Sequence, residues 1–473
     1  MKLKNSKLFI TVILIYIIVT VLRLIFHQPW YDEAHAWTVA EQLNLKEIID
    51  LMRIEGHTFI WYLLIMPFAK ANLWYPWPMM IINYIFALAS VIFMWKRAPF
   101  NNFTKTVVTF SFPFFALFPV NARCYAIGVI MLFLLTDLFN KKLKHPLIFA
   151  LLVSLCANTS VMALIGASAF GFLFAFDLIK GALDNKVSRK DFTIAFIIMA
   201  VGACMILWQL GGSNSGILGN NIHFIENFTE FFIGPLLLSN LLAIIGVISV
   251  LLFLPVYLFN DKKALFFFAY TIGTMVFIFT HLYAGFSHHY VFLYIYTLIS
   301  FWLAKNNISG GKLVKVTEIA LSILFMSQII THLNYSPAYF HSGSKYLSDI
   351  ILQDNKLKKS RIILYNSADK RILPYIQNEN VDLWFYCQGS KANYDPNLHD
   401  TPICEPRGPL YYIPGWLEKS LSKDKDNYSI MEISPKTPLE GFIIEDSKHR
   451  IVFELYKDIN KTYGIFKTTE YDK

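Results

Sequence analysis

Long runs of apolar residues, separated by short polar stretches, fill the chain from its N-terminus to about residue 333. The first run, residues 8–26, is almost purely apolar, and a helix of about 20 such residues crosses the hydrocarbon core of a bilayer. The pattern predicts about 11 transmembrane helices in all. The ten later crossings are expected at residues 79–95, 107–120, 125–139, 146–156, 161–179, 192–210, 232–259, 265–283, 290–304 and 314–333.

The polar stretch after the opening run, residues 27–78, contains two segments of a different kind. Residues 38–54 mix polar and apolar side chains at near-helical spacing, which is typical of an amphipathic helix lying along the membrane surface. Residues 57–71 are apolar but too few for a full crossing, and a cluster of tryptophan, tyrosine and proline follows them. We expect this second segment to be only partly immersed, so that residues 27–78 form one outer loop.

Lysine and arginine are distributed unevenly between alternate loops. With the N-terminus placed in the cytoplasm, the inner loops carry 18 of these residues, whereas the outer loops before residue 336 carry only 4. Cytoplasmic loops are enriched in lysine and arginine, so this split predicts a cytoplasmic N-terminus. It also supports the partial immersion of residues 57–71, because a full crossing there would move Lys96, Arg97 and Lys105 to the outside.

The composition changes at about residue 336, where the hydrophobic runs end. The segment from there to the C-terminus has ordinary soluble character, and the odd number of preceding crossings places it outside the cytoplasm. Residues 361–365 and 381–386 read as buried strands that flank a helical stretch, which suggests a small α/β unit. Residues 451–456 and 463–468 are predicted to form a hairpin.

The overall composition supports a polytopic protein of the cell membrane and excludes an ordinary soluble one. Apolar residues make up 55% of the chain and charged residues 16%, with a mean hydropathy of +0.45, whereas soluble domains are about 25% charged. The net charge of +9 is explained by cytoplasmic-loop lysine, and no nucleic-acid partner is expected. The predicted fold class is an all-α polytopic membrane domain, residues 1–335, followed by a small extracytoplasmic α/β domain, residues 336–473. In that second domain Cys387 and Cys404 can form a disulfide.

Two adjacent carboxylates and a histidine, Asp32, Glu33 and His35, follow directly on the first apolar run. Carboxylates favour a helix N-terminus, so capping of the next helix explains the pair, and an interfacial aromatic belt explains the flanking tryptophan and tyrosine. The predicted topology adds a second interpretation, because it brings other ionisable and polar residues to the same membrane face. These residues are His57, Arg123, Tyr125, Asn158, His223, Glu226, His288 and His289.

Each of these residues has a structural explanation of its own. Arg123 can extend its side chain to the interface, Asn158 can cap a turn, and Glu226 and the histidines can be ordinary surface residues. A charged group near the bilayer costs several kcal/mol unless it is paired or hydrated, so such residues are also candidates for function. The gathering of acid, base and cation on one face therefore favours a shared site.

Nucleotide-activated donors are absent outside the cell, so a transferase on that face can use a lipid-linked phosphate donor that arrives within the bilayer. Such a reaction needs a carboxylate to accept the proton of a hydroxyl, and Asp32 or Glu33 fits that role. It also needs a cation to hold the departing phosphate, which suits the planar guanidinium of Arg123, with the paired histidines assisting. The lipid tail would lie between the apolar spans.

Five short motifs carry a resemblance to known proteins. They are Tyr31-Asp-Glu-Ala-His-Ala-Trp37, Glu55-Gly-His-Thr-Phe-Ile-Trp-Tyr-Leu-Leu64, Ala122-Arg-Cys-Tyr-Ala-Ile-Gly128, Ala157-Asn-Thr-Ser160 and His288-His-Tyr-Val-Phe292. In order and spacing, over most of residues 1–333, the chain resembles an uncharacterised branch of the polytopic lipid-linked-sugar glycosyltransferases of the C-type (GT-C) fold. That family includes the protein O-mannosyltransferases and the bacterial aminoarabinose and Rgt-type sugar transferases. Its members commonly have His-Pro-Pro where this chain has His57-Thr58-Phe59.

The resemblance implies that Asp32 is the catalytic base and that the immersed segments are juxtamembrane helices around the active site. Glu33 points about 100° away from Asp32 on a helix and is expected to orient the acceptor or to bind a divalent metal. The expected activity is transfer of a sugar, with inversion, from a polyprenyl-phosphate donor to a lipid, glycan or protein acceptor. The donor phosphate and lipid are expected to contact Arg123, Tyr125, His288 and His289. The residues expected to bind the acceptor or to support the site are His35, His57, Asn158, His223 and Glu226.

Two other functional classes remain open. A secondary transporter, or a flippase of lipid-linked envelope precursors, would show broken helices paired across an internal repeat and charges near the bilayer midplane. The sequence shows no such halves, and its polar residues gather at one face. A membrane scaffold or lipid-binding protein that has lost catalysis is the third class, and the presence of Asp32 and Arg123 argues against it.

Overall fold

The computed structural model describes residues 2–55, 58–210, 237–282, 285–308, 310–333, 344–364, 372–376, 379–385, 390–391, 421–432, 442–445, 449–459 and 463–472. The chain divides into two compact units. The first, called the helical unit, consists of Met1–Ile25, Ile49–Trp61 and Met80–Ser336. The second, called the sheet unit, consists of Phe26–Ile48, Tyr62–Met79 and Pro337–Lys473. The sheet unit thus includes most of the predicted first outer loop together with the C-terminal segment.

Helices make up most of the described chain. In chain order they are α1 (Lys2–Phe26), α2 (Tyr31–Gln42), α3 (Leu45–Glu55), α4 (Ile60–Lys70), α5 (Trp77–Arg97), α6 (Asn102–Phe110), α7 (Tyr125–Leu138), α8 (Pro146–Ala157), α9 (Val161–Leu183), α10 (Arg189–Leu210), α11 (Leu237–Leu258), α12 (Lys262–Phe277), α13 (Ser287–Asn307), α14 (Lys312–Leu333), α15 (Ser344–Gln353), α16 (Asn355–Lys359) and α17 (Leu373–Ile376). Short turns of other helical types are Pro113–Leu117 and Ile278–Leu282, which are π-helical, and Phe139–Lys141, which is a 3-10 turn.

Seven helices of the described chain are long and apolar enough to cross a membrane, and each coincides with a predicted crossing. Large apolar side chains on them, among them Ile18, Phe176 and Leu252, are more than half exposed, which favours lipid around the helices. The finding supports a polytopic membrane protein. The seven segments are Lys7–Phe26, Trp77–Arg97, Val161–Leu183, Arg189–Leu210, Asn240–Leu258, Lys262–Leu282 and Lys312–Ile330.

The other four predicted crossings differ from this pattern for identifiable reasons. Residues 107–120 are divided, because α6 ends at Phe110 and a π-helical turn begins at Pro113, a residue without a backbone N–H to donate. α7 and α8 have 14 and 12 residues, which at 1.5 Å per residue span only about 21 and 18 Å. The fourth, α13, is long enough, but its histidine, serine, lysine and asparagine residues lower its hydropathy. These four stay predictions as full crossings.

α13 is a helix of the helical unit that is buried on all sides. Every residue from Tyr290 to Ala304 is buried except Leu293, which is half-buried. A helix enclosed in this way belongs to the centre of a bundle. Some of its polar atoms find partners there: the Tyr296 hydroxyl donates to the carbonyl of Met162 and accepts from the N–H of Gly166 at 3.2 Å. Contacts with neighbouring helices therefore stabilise α13 despite its low hydropathy.

Residues that the charge pattern assigns to the cytoplasmic side contact one another in the helical unit. Asp177, near the end of α9, is within 2.9 Å of Lys142 and 2.6 Å of Lys263. Two further pairs of this kind are Arg97–Asp137 at 2.6 Å and Lys305–Glu318 at 2.7 Å. Loops predicted to share one side of the membrane therefore meet, while the side itself stays a prediction.

The predicted surface helix over residues 38–54 is two helices, α2 and α3, separated by Leu43 and Asn44. The Asn44 side chain accepts a hydrogen bond from the N–H of Glu47 at 3.1 Å, and the Glu47 carboxylate accepts one from the N–H of Asn44 at 2.8 Å. This reciprocal cap starts a new helix at Leu45. The first helix begins earlier than predicted, at Tyr31, so it includes the acidic residues. The segment predicted to be partly immersed contains α4, whose 11 residues are too few for a full crossing, and its immersion stays a prediction.

One mixed sheet lies in the sheet unit, and its described strands follow the order β3-β2-β1-β4-β7-β6-β5. They are β1 (Arg361–Leu364), β2 (Asp382–Phe385), β3 (Ser390–Lys391), β4 (Asn427–Glu432), β5 (Phe442–Glu445), β6 (His449–Ile459) and β7 (Tyr463–Asp472). β1 is parallel to β2 and β4, and the other neighbours are antiparallel. The predicted strands at 361–365 and 381–386 and the predicted C-terminal hairpin are confirmed. Cys387 and Cys404 lie outside the described residues, so their disulfide stays a prediction.

The core of the sheet unit joins the sheet to the helices beside it. Leu347 and Ile351 of α15, Ile362 of β1 and Ile376 of α17 are buried together, with Tyr375 packed against them. α17 also packs against α2. The helix that carries the acidic residues is therefore supported by the α/β part of the chain.

Candidate functional sites

The acidic stretch, defined here as residues 27–33, leads into α2. Asp32 and Glu33 lie in the first turn of that helix, where the positive end of the helix dipole favours carboxylates. Glu33 accepts a hydrogen bond from the backbone N–H of Trp30 at 3.0 Å, which caps the helix. The capping explanation of the acid pair is therefore correct for Glu33.

Glu33 is also paired with a histidine that the sequence motifs did not single out. Nε2 of His27 lies 2.8 Å from Oε2 of Glu33, and the two side chains are 3% and 0% exposed. A buried carboxylate is costly unless hydrogen bonds stabilise it, and here His27 and the Trp30 N–H supply them. Their spacing of six residues across the start of a helix follows no helical period, so the pair could not be recognised from periodicity.

Two tyrosines of the sheet unit lie close enough to Glu33 for its charge to affect them. The rings of Tyr75 and Tyr375 are 4.7 Å apart and edge-on, and Trp37 lies 5.3 Å from Tyr75. Burial, then the neighbouring Tyr375 and Glu33, raise the pKa of Tyr75 well above its usual value. Burial and then Glu33 raise the pKa of Tyr375 in the same way. Both phenols are thus neutral at physiological pH, and the sheet-unit Tyr375 lies close enough to Glu33 to be affected by its charge.

Asp32 and His35 occupy other positions on α2. Asp32 is half-buried, whereas His35 is 9% exposed. The His35 ring stacks on Tyr31 at 6.0 Å, one helical turn earlier. Asp32 is therefore more accessible than Glu33, and the different roles expected for the two acids stay predictions.

A basic cluster in the helical unit contains all four residues expected to bind the donor phosphate. The guanidinium carbon of Arg123 lies 5.9 Å from the ring centre of Tyr125. The Tyr125 ring is 5.6 Å from that of His288, and the His288 and His289 rings are 4.1 Å apart. Arg123 and both histidines are 7–8% exposed. The basic cluster is therefore compact and largely shielded from solvent.

Two helix N-termini meet at the basic cluster, since Tyr125 begins α7 and His288 and His289 lie in the first turn of α13. Nδ1 of His289 lies 3.1 Å from the backbone nitrogen of Phe286, which donates to it, so in the neutral ring Nε2 carries the hydrogen. That Nε2–H faces the Tyr125 hydroxyl at 3.2 Å. Helix N-termini favour anions, and an arginine beside them adds a full positive charge. The arrangement is suited to bind an anion.

Asn158 has a structural role in the helical unit. Its amide nitrogen donates to the Ser154 carbonyl at 2.8 Å, and its oxygen accepts from Gln209 at 2.9 Å. The Gln209 oxygen in turn accepts from the N–H of Phe59 at 2.9 Å. Asn158 therefore helps to join α8, α10 and the start of the Phe59 segment, and its expected contribution to acceptor binding stays a prediction.

Three sequence-predicted site residues, His57, His223 and Glu226, lie outside the described residues. In the part of the chain that the structure describes, no group of three or more histidine, cysteine, aspartate or glutamate side chains could hold a metal ion. The expected metal role of Glu33 has no further ligand set to support it there. No family model matches the chain, and no curated protein matches it.

Proposed function

We propose that this protein is a membrane glycosyltransferase that moves a sugar, with inversion, from a polyprenyl-phosphate donor to a lipid, glycan or protein hydroxyl on the extracytoplasmic face. The observation that carries the proposal is the basic cluster. The cluster consists of an arginine, a tyrosine and two histidines at two helix N-termini. Such a site stabilises an anion by charge, by hydrogen bonds and by helix dipoles. In a membrane protein, the phosphate of a lipid carrier is an anion that such a site would bind.

Phosphate binding of this kind would serve catalysis as well as affinity. When the bond between the sugar and the phosphate breaks, negative charge grows on the phosphate oxygens. The cation of Arg123 and the donors of the basic cluster stabilise that charge more strongly in the transition state than in the bound donor. The same reaction needs a proton acceptor for the incoming hydroxyl. The acidic stretch supplies candidates, of which the sequence nominates Asp32.

An apolar cavity supports a lipid as the carrier of that phosphate. The cavity measures about 330 Å³ and lies among α11, α12, α13 and α14. Leu293 and Thr297 of α13 line it, one and two turns beyond His289 on the same side of the helix. At 1.5 Å per residue, they lie about 6 and 12 Å further along the axis. One helix therefore leads from the basic cluster to an apolar space that suits an isoprenoid chain.

Comparison of cells with and without the gene tests the proposal. Lipids and envelope glycans are extracted from both and analysed by mass spectrometry. The proposal predicts that one glycosylated product is lost, that its unmodified acceptor accumulates, and that the wild-type gene restores the product. A flippase would instead leave transfer intact in broken membranes, where both faces are open to added donor lipid. Identical extracts from the two kinds of cell would contradict the proposal.

A further inference from the structure

Of the two ring nitrogens of His27, one has a hydrogen-bond partner among the described residues and the other has none. Its Nε2 faces the Glu33 carboxylate at 2.8 Å. An ionised carboxylate can only accept hydrogen bonds, so Nε2 carries the hydrogen, and in the neutral ring Nδ1 carries the lone pair. That Nδ1 is buried and has no hydrogen-bond partner within the described ranges.

An unpaired polar atom in a protein interior needs an explanation. Leaving a buried acceptor unsatisfied costs about 1–3 kcal/mol, and most such atoms in folded proteins have a partner. The hydroxyl of Tyr75, whose pKa is raised by burial and then by Tyr375 and Glu33, is also buried without a partner among the described residues. The unpaired Nδ1 of His27, one ring position from the bond to Glu33, indicates that a polar ligand group completes its hydrogen bond.

We propose that His27 is the general base of the transfer reaction and that Glu33 is its positioning residue, a proposal that rests on the glycosyltransferase function above. Nδ1 of His27 accepts the proton as the O–H bond of the acceptor breaks. The acceptor oxygen forms a bond to the anomeric carbon of the sugar. The bond from that carbon to the donor phosphate breaks, and the polyprenyl phosphate leaves with the electron pair. The proton later passes from His27 to water.

The surroundings of the pair suit this division of roles. Glu33 stabilises the imidazolium that forms, as a carboxylate does when it orients a catalytic histidine. The Glu33 carboxylate accepts a hydrogen bond from the Trp30 N–H and lies at the N-terminus of α2, where a negative charge is favoured. Ionisable groups near the pair within the described ranges include Asp32 and His35 on the same helix and the phenols of Tyr75 and Tyr375. Since Nδ1 is shielded from solvent, an acceptor hydroxyl reaches it when the covering side chains move aside on binding.

Four single variants of the full-length protein in membranes test the proposal: His27→Gln, Glu33→Gln, Asp32→Asn and the control His145→Gln. The readout is the rate of formation of the product that is lost from cells without the gene. His27→Gln removes the base but keeps an N–H for Glu33, and its kcat is expected to fall about 10²–10⁴-fold. Glu33→Gln keeps acceptors for both hydrogen bonds but loses the charge, so kcat falls while binding of polyprenyl phosphate is unchanged. The exposed His145→Gln is expected to match wild type.

Chemical rescue separates a base from a structural residue. His27→Ala leaves space for a free imidazole, and we expect added imidazole to restore part of the rate, whereas it should do nothing for Asp32→Asn. If wild-type protein forms no product, the glycosyltransferase function fails. If wild type is active but His27→Gln and Glu33→Gln keep the full rate, or if Asp32→Asn alone abolishes turnover, the assignment of His27 is overturned and the function stands. Loss of polyprenyl phosphate binding in both His27 and Glu33 variants would show a structural role and would equally overturn it.

Discussion

Arg123 offers a direct test of the basic cluster, because it is the one full positive charge among the four residues. Its side chain is 8% exposed and stacks near Tyr125, so it is held in place before any ligand binds. A hydrogen bond to a charged group is worth about 1.5–3 kcal/mol. With 1.4 kcal/mol for each factor of ten, Arg123→Ala is expected to weaken binding of a polyprenyl phosphate by about 10- to 150-fold.

Arg123→Lys refines this expectation. Lysine keeps the charge but lacks the planar fork that grips two phosphate oxygens at once, so one of two bonds is lost. We expect its affinity to lie between those of wild type and Arg123→Ala. Arg189→Ala removes an exposed arginine elsewhere in the helical unit and is the matched control, with unchanged affinity.

Native mass spectrometry of the full-length protein in lipid nanodiscs measures this affinity without knowledge of the sugar. The probes are a polyprenyl phosphate and the polyprenol of the same length, which lacks the charge. Wild type should prefer the phosphate, and Arg123→Ala should lose most of that preference while binding the polyprenol as before. Equal affinity of wild type and Arg123→Ala for the phosphate, with both proteins folded, would refute the argument and leave Arg123 as a residue that only reaches towards the interface.

Three further predictions concern the lipid cavity, the sheet unit and the topology. Leu251→Trp places a large ring at the cavity and should weaken binding of both probes, whereas Leu252→Trp, at a similarly exposed position of the same helix that does not line the cavity, should not; equal effects of the two variants would contradict lipid binding in the cavity. Burial opposes the charge of Asp382, but hydrogen bonds from Lys425, Trp384 and Arg361 outweigh it and lower its pKa. A carboxyl group with a lowered pKa in the folded state stabilises the fold at pH values above its unfolded pKa of about 3.9. This contribution to the free energy of unfolding is lost as the pH falls through the folded pKa. Asp382→Asn should therefore lower the local stability of β1 and β2 by about 1–3 kcal/mol and speed their amide hydrogen exchange at pH 7. The difference in exchange rate from wild type should shrink below about pH 4. A difference that does not change with pH would contradict this. Reporter fusions after residues 144, 190 and 263 should score cytoplasmic and a fusion after residue 336 external, and a cytoplasmic C-terminal segment would reverse the proposed side of every site residue.

Hydropathy was sufficient to predict the outer helices of the bundle, because lipid-facing side chains must be apolar. It was less informative for α13, whose side chains contact protein on all sides and so include tyrosines and serines with partners of their own. It also gave one continuous run for residues 107–120, although Ser111 and Pro113 end α6 and start a π-helical turn. In the C-terminal segment, short runs of β-branched and aromatic residues correctly predicted β1, β2 and the final hairpin.

The residues of the candidate sites were likewise predictable from the sequence only in part. The sequence grouped Arg123, Tyr125, His288 and His289, because each lies at the outer start of a predicted span, and the structure places them in contact. No sequence pattern singled out His27, since a histidine after an apolar run is unremarkable until its partner is known. Nor did it indicate that α2 packs against α17, because a contact between segments more than 300 residues apart leaves no local pattern.

Transfer of a sugar to an extracytoplasmic acceptor can be measured in proteoliposomes that contain only the purified full-length protein. Donor lipids extracted from cells without the gene are added with the acceptor fraction that accumulates in those cells, and the product is followed by mass spectrometry. We expect wild type to form the missing glycan and to release polyprenyl phosphate in equal amount. Arg123→Ala should form far less of that glycan. If wild-type protein forms no glycan from fractions that intact wild-type cells do convert, the protein is not the transferase proposed here.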